Sequence, residues 1–411
     1  MFQRTSKYSV FFLSCFLVIF GFPGQSVGIS AVTDAILQST GISRSLFSVI
    51  YTSATVTGCC LVLISGSLVD RFGIRRVTLA SLTIWTAVFF ILSEDEFLYK
   101  TVFARILSRS AYFAAFLYLC LSTLRFFGQN MLPMLGRMRI VKKFNERQSV
   151  AIALNGVFVT ISSGVCPRIM RFLSRGGDWQ NAYKVLSVVS LAVLFVFFFL
   201  FHDGETKIRK QMDGVPKLPS LGVRRKLVKM PVFWCIMGTL CINAFIGSGS
   251  MVHVVDIFRE NGIGAGLAIN SGLYLSCVSI PVGFVFGKKL DKNRIKSCIL
   301  LLLSVQFFGL VGLETSGNSL GFWMYVVCIG ASWGGYGILK TVSWAKMFGE
   351  KNLGAILGVV YFSSAIVGAM SVSLMSFSRE YLGSYFHMVH LVECAILITA
   401  VFVVRKFPKC P

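Results

Sequence analysis

Twelve apolar stretches of 17 to 25 residues succeed one another along the chain, separated by short segments that carry most of the charge. A bilayer crossing needs about 20 mostly apolar residues in a helix. The pattern therefore predicts twelve transmembrane helices, over residues 8–31, 46–69, 77–93, 111–133, 150–173, 183–202, 231–255, 265–287, 297–313, 319–340, 353–377 and 384–404. The first run follows Arg4 and Lys7, as in a signal peptide, but it continues to about Ala31 and many spans follow, so it is assigned as the first membrane helix.

Orientation follows from the cations in the connections. The two ends and the connections on their side of the membrane hold 29 Lys and Arg, whereas the opposite set holds 7. Removing the long connection 203–230 leaves 21 against 7, so the assignment does not depend on it. Both termini are expected on the cytoplasmic side of a plasma (inner) membrane.

Composition agrees with this picture. Of 411 residues, 55% are hydrophobic and 14% charged, and the mean hydropathy is +0.74; a soluble domain carries about 25% charged residues. A soluble or disordered chain is excluded. The formal charge of +23 would suggest nucleic acid in a soluble protein. Here cationic cytoplasmic loops account for it, and no nucleic-acid partner is expected. The twelve cysteines lie mostly inside apolar runs and read as small buried hydrophobes.

The chain repeats itself. GSLVDRFGIRR (66–76) and GKKLDKNRIK (287–296) both place Gly four residues before Asp with cations following, and Asp70 and Asp291 are 221 residues apart. KKFNER (142–147) and KMFGEK (346–351) align at an offset of 204. The 17-residue difference matches the length of the connection 94–110, which is assigned as an insertion in the first half. The expected organisation is a six-helix bundle over 1–202, a basic linker over 203–230 and a second six-helix bundle over 231–411. Parallel six-helix repeats are a known transporter architecture.

GSLVDRFGIRR resembles the signature between the second and third helices of the major facilitator superfamily, with Gly66, Leu68, Asp70, Arg71, Gly73, Arg75 and Arg76 in its positions. The resemblance covers the whole chain and implies an all-α membrane protein of twelve helices in two pseudo-symmetric bundles. GQSVGISAVTDAI (24–36), GISRSLFS (41–48) and LRFFGQN (124–130) look like the bacterial branch related to monocarboxylate and oxalate/formate carriers, although the first helix lacks the acidic signature of animal monocarboxylate carriers. The family implies a cytoplasmic latch at Asp70, Arg71 and Arg75 that stabilises the outward-open state. A second latch is implied at Glu146 and Arg147, with Glu350 and Lys351 in the matching loop. Asp291 lacks the following Gly, so the second copy of the signature is degraded.

Charges at bilayer depth are costly and mark candidate sites. Arg125 lies about 21 Å along the fourth helix, and Tyr118, Ser122, Arg125 and Gln129 form one polar stripe. The family places helices 1, 4, 7 and 10 around a central cavity, so this stripe is expected to line it. There Arg125 either holds an anionic substrate or makes a structural bond to another helix. Thr239, Asn243, Ser250 and His253 share a face of the seventh helix; cavity lining and helix packing are both open. Trp333, Tyr336 and Lys340 share a face of the tenth, and Pro23, Gly24, Gln25 and Gly28 predict a bend in the first that lets Gln25 face the cavity. His387, His390, Glu393 and Cys394 share a face of the twelfth helix, as metal ligands do. The family puts that helix on the periphery, so they are assigned as an interfacial or interhelical cluster rather than a metal site.

Motifs of hydrolases and metalloproteases are absent, as is a nucleotide-binding loop, so neither an enzyme nor an ATP-driven pump is expected. The expectation is a monomeric secondary carrier without cofactor, moving a small organic anion by alternating access. The alternatives are a carrier of amino acids or other zwitterions, and a non-transporting sensor on the same scaffold.

Overall fold

A computed structural model describes residues 7–103, 108–144, 147–174, 178–200, 227–292, 294–349 and 353–407. These are almost entirely helical and include no strand. In hydrocarbon every backbone N–H and C=O must find a partner within its own segment, which a helix achieves. Eleven helices are long and apolar enough to cross a membrane, and a shorter apolar helix precedes them. The protein is an integral, multi-pass membrane protein.

The shorter apolar helix is α1 (Lys7–Phe20), followed by a 3-10 turn at Phe22–Gly24 and short helices at Ser26–Ser30 and Thr33–Thr40. Then come α2 (Arg44–Phe72), α3 (Ile74–Ser93) and α4, which runs from Arg109–Leu124 through a π-helical stretch, Arg125–Met131, into Leu132–Phe144. The first half ends with α5 (Gln148–Leu173) and α6 (Trp179–Leu200). In the second half, α7 runs from Pro231–Phe245 through a π-helical Ile246–Ser250 into Met251–Glu260. It is followed by α8 (Ala265–Asp291), α9 (Ile295–Glu314), α10 (Ser319–Phe348), α11 (Leu353–Leu382) and α12 (Phe386–Lys406).

Two expected connections are shorter than the hydropathy indicates. Residues 134–144 and 340–348 are helical continuations of α4 and α10 rather than loops. A 30-residue helix is about 45 Å long against a hydrocarbon core of about 30 Å. Its end therefore projects beyond the apolar layer, where Lys142, Lys143 and Lys346 lie on the last turns and reach polar surroundings.

The chain separates into two compact units, residues 1–143 with 158–217, and 144–157 with 218–411. In the first, α3 packs on α6 through Trp85, Phe89, Trp179 and Tyr183, which are all essentially inaccessible. Thr86 and Ser190 hydrogen-bond across that contact at 2.6 Å. In the second, α10 packs on both α8 and α9, and Phe258 meets Phe322 at a tilt and Tyr325 edge-on. The expected linker 203–230 falls outside the described residues up to residue 226.

The link from α2 to α3 is a single residue, Gly73, at φ +83° and ψ 155°, whose N–H closes α2 on Val69 O at 2.9 Å. This backbone region is essentially reserved for glycine, and forcing another residue into it costs about 1–3 kcal/mol. Gly73→Ala is therefore expected to lower thermal stability by that amount without altering the helix content; an unchanged melting temperature would contradict the strain.

In the connection 94–110, Asp95–Leu98 forms one helical turn and Tyr99–Phe103 a π turn; residues 104–107 are not described. Asp95 is only 1% exposed and accepts a hydrogen bond from Gln180 Nε2 at 3.1 Å. Burial pushes its carboxyl up from the ordinary value, partly offset by Gln180. The folded form thus holds a proton that the unfolded chain has released, so stability falls as pH rises above the ordinary carboxylate range. Asp95→Asn, which keeps the acceptor, should flatten that fall; melting curves from pH 4 to 7 test it.

Candidate functional site

Arg125 stands at the first residue of the π-helical stretch in α4 and is 3% exposed. Its Nε donates to Thr55 Oγ1 of α2 at 3.0 Å, and its Nη1 to Ser26 Oγ at 3.1 Å and Gly24 O at 3.5 Å. The guanidinium lies over the Tyr51 ring, 4.9 Å from its centroid, and Tyr51 Oη donates to Ser26 Oγ at 3.0 Å. Among the described residues its partners are thus two hydroxyls, one carbonyl and a phenol ring, and none is a carboxylate. Ser26, next to the guanidinium, is exposed.

Backbone proximity builds this arrangement. The break after α1 lies directly on α4: a Cβ on Gly24 would sit 2.1 Å from Leu124 O, and one on Gly128 would sit 2.4 Å from Gly21 O. That approach brings the Gly24 carbonyl and Ser26 to Arg125. Of the other residues on the stripe, Tyr118 hydrogen-bonds Thr57 of α2 at 2.9 Å. Gln129 is half-buried, with an Oε1 that accepts no hydrogen bond among the described residues. Gln25 is half-buried at the end of the 3-10 turn.

The second half places its candidates in two groups. Asn243 of α7 donates to Ser332 of α10, which also receives Gln306 Nε2 of α9 at 3.2 Å; all three are buried. Ser250 is buried and turns its hydroxyl back to Ile246 O. His253 Nε2 faces Val372 O and Ser376 Oγ of α11, both at 3.2 Å, with its ring 5.2 Å from that of Tyr385. In α10, Trp333 is half-buried near Gly247 in the π stretch of α7. Lys340 donates to Tyr336 Oη at 3.3 Å and lies 4.2 Å from the centre of the Tyr361 ring. Lys340 is 9% exposed.

The interruptions of α1 and α7 correspond. The π stretch at Ile246 begins 224 residues after the 3-10 turn at Phe22, close to the 221 that separate Asp70 from Asp291. Both break the first helix of a repeat.

In the 66–76 signature, Gly66 is buried, Arg71 and Arg76 are exposed, and Arg71 stacks on Phe72. Arg75 donates to Phe198 O of α6 at 3.4 Å. Asp70 is half-buried at the end of α2. The second-half copy shows its chemistry openly. Asp291 Oδ1 accepts the backbone N–H of Ser149, in the first turn of α5, at 3.3 Å, and lies 3.7 Å from Lys346 Nζ. Gly287 lets α8 approach the Ser149 backbone closely. A carboxylate at a helix N-terminus beside a cation is doubly favourable. Of the second expected latch, Arg147 is exposed, while Glu146, Glu350 and Lys351 lie outside the described residues.

A family model described as Major Facilitator Superfamily matches residues 11–372. The chain belongs to the major facilitator superfamily. Members of this superfamily are transporters, and no curated protein matches the chain. Among solved structures it is similar to the proton:xylose symporter XylE bound to 6-bromo-6-deoxy-D-glucose, with 15% identity, 98% of this chain and 96% of that one covered, and a TM-score of 0.68. It is also similar to a variant of the E. coli fucose:proton symporter FucP, with 11% identity, 99% and 100% coverage and a TM-score of 0.69. A further FucP structure, in the outward conformation, gives 10% identity, 97% and 99% coverage and a TM-score of 0.71. At these identities the likeness establishes the major facilitator fold, and the narrower monocarboxylate/oxalate-formate branch has no support from it.

Sequence reasoning missed Thr55, Tyr51 and Ser26 around Arg125. Tyr51 and Thr55 are one helical turn apart in α2, a spacing that puts both polar groups on one face.

Proposed function

We propose that this major facilitator carries a small organic anion, a carboxylate, by alternating access, as a monomer with both termini cytoplasmic. The observation that carries the reading is the buried Arg125 guanidinium, surrounded by neutral groups. Burying a cation without a counter-charge costs several kcal/mol, and charges at membrane depth are retained where they act on a pathway. A carboxylate taking the place of the Ser26 hydroxyl would supply the missing charge and use the planar donor fork. The xylose and fucose symporters move neutral sugars, and the Arg125 guanidinium, with no carboxylate partner among the described residues, is what turns the reading here toward an anion.

Counterflow in proteoliposomes tests it. Vesicles preloaded with unlabelled carboxylates, amino acids or sugars are followed for uptake of the labelled solute, which reports exchange without knowledge of a coupling ion. The expected result is exchange of one carboxylate class. Exchange of sugars or zwitterions alone would replace the anion reading, and none across the panel in folded protein would favour the sensor.

A further inference from the structure

Far along the chain from Arg125, α9 and α12 bring three metal-ligating side chains together. Glu314 is the last residue of α9, and His390 and Glu393 lie on one face of α12, three residues apart. His390 Nδ1 is 2.9 Å from Glu314 Oε1 and 3.4 Å from Glu393 Oε2. One donor atom from each of the three falls within 4.8 Å of the others. Glu314 Oε1 and Glu393 Oε1 are both buried, and neither accepts a hydrogen bond of good geometry. The imidazole, 61% exposed, leaves one side of the cluster open to solvent.

Two carboxyl groups face one imidazole, and among the described residues no Lys or Arg pairs with either. Two carboxylate oxygens and one imidazole nitrogen converging from two helices make the mixed donor set of a divalent cation. Ligands about 2.0–2.1 Å from a tetrahedral zinc ion lie roughly 3.3 Å apart, and the 2.9 and 3.4 Å separations on His390 bracket that edge. One imidazole with two carboxylates suits zinc better than magnesium, which prefers an all-oxygen octahedral shell.

We propose that Glu314, His390 and Glu393 bind a divalent ion of the zinc class, which clasps the end of α9 to α12, with water completing the shell on the exposed side. Cys394, which shares the face in the sequence, is exposed and stands outside the cluster. This site is independent of the transported solute.

The full chain, stripped with chelator and reconstituted in lipid nanodiscs, is dialysed against Zn2+ and the metal per protein counted. The wild type is expected to hold one ion that His390→Gln, Glu314→Gln and Glu393→Gln each bind at least about tenfold more weakly. His387→Gln should keep it, and His390→Cys, which replaces imidazole by thiolate, should restore it. As a second measurement, Co2+ in the wild type should give a visible absorption band that His390→Gln loses. Equal zinc binding by wild type and His390→Gln overturns the proposal. So does a wild type that retains no zinc, in which case His390 is a polar partner of two carboxyl groups and no more.

Discussion

Arg125→Gln lowers carboxylate counterflow by about ten- to a hundredfold while the protein remains folded and monodisperse, since a charge-assisted hydrogen bond is worth about 1.5–3 kcal/mol and each 1.4 kcal/mol is a factor of ten. Glutamine keeps some capacity to reach Thr55 Oγ1 but carries no charge, so the substitution separates holding the scaffold from holding an anion. Arg125→Lys should fall between the two. It restores the charge, yet a single ammonium lacks the fork that reaches Thr55 and Ser26 together. Thr55→Val removes one tether and leaves the cation, so its effect should be within about tenfold. If Arg125→Gln exchanges like the wild type, the guanidinium is a structural link between α4 and the break after α1, and the anion reading loses its main support.

The parts of this fold that hydropathy governs are legible in the amino-acid sequence. Twelve crossings follow from run length because lipid leaves a helix no alternative. Helix ends are not legible, because a hydropathy window weighs Arg137 and Lys142 as loop residues although α4 carries them to Phe144. The break after α1 can be read from Pro23 and Gly24, residues with a local backbone effect. The π stretches of α4 and α7 contain no proline, although Pro133 follows the first by two residues and the second is built from alternating Gly and Ser. Candidate residues divide in the same way. Arg125 is visible as a charge in an apolar run, whereas Thr55, 70 residues away, is joined to it only by folding. In the same manner His390 and Glu393 share a helix face in the sequence, but Glu314 reaches them from α9. The Asp291 copy, which looks degraded for want of a following glycine, still meets a helix N-terminus, because that contact needs the carboxylate and the close approach at Gly287 rather than the turn.

Gly24→Ala should be among the most damaging small substitutions in the chain. The added Cβ would sit 2.1 Å from Leu124 O and 2.8 Å from the Trp85 ring. A carbonyl cannot rotate away as a flexible side chain can, so the break after α1 must move off α4. Overpacking of this kind costs about 1–3 kcal/mol. The same displacement draws Gly24 O and Ser26 away from Arg125, and removing partners from a buried charged group adds a comparable amount. Thermal stability should therefore drop by about 2 kcal/mol or more, and exchange should fall with it, although alanine is chemically remote from any substrate. Gly128→Ala attacks the same contact from the other side, with Gly21 O at 2.4 Å. Once one residue has forced the segments apart, the second adds little, so the double variant should cost less than the sum of the two. Gly337→Ala in α10 is the control. A Cβ there meets nothing within 4 Å, and the higher helix propensity of alanine should leave stability equal or raise it by up to about 1 kcal/mol. A Gly24→Ala protein as stable as Gly337→Ala would mean that the segments are not in backbone contact, and the tethering of Arg125 through Gly24 and Ser26 would fall with it.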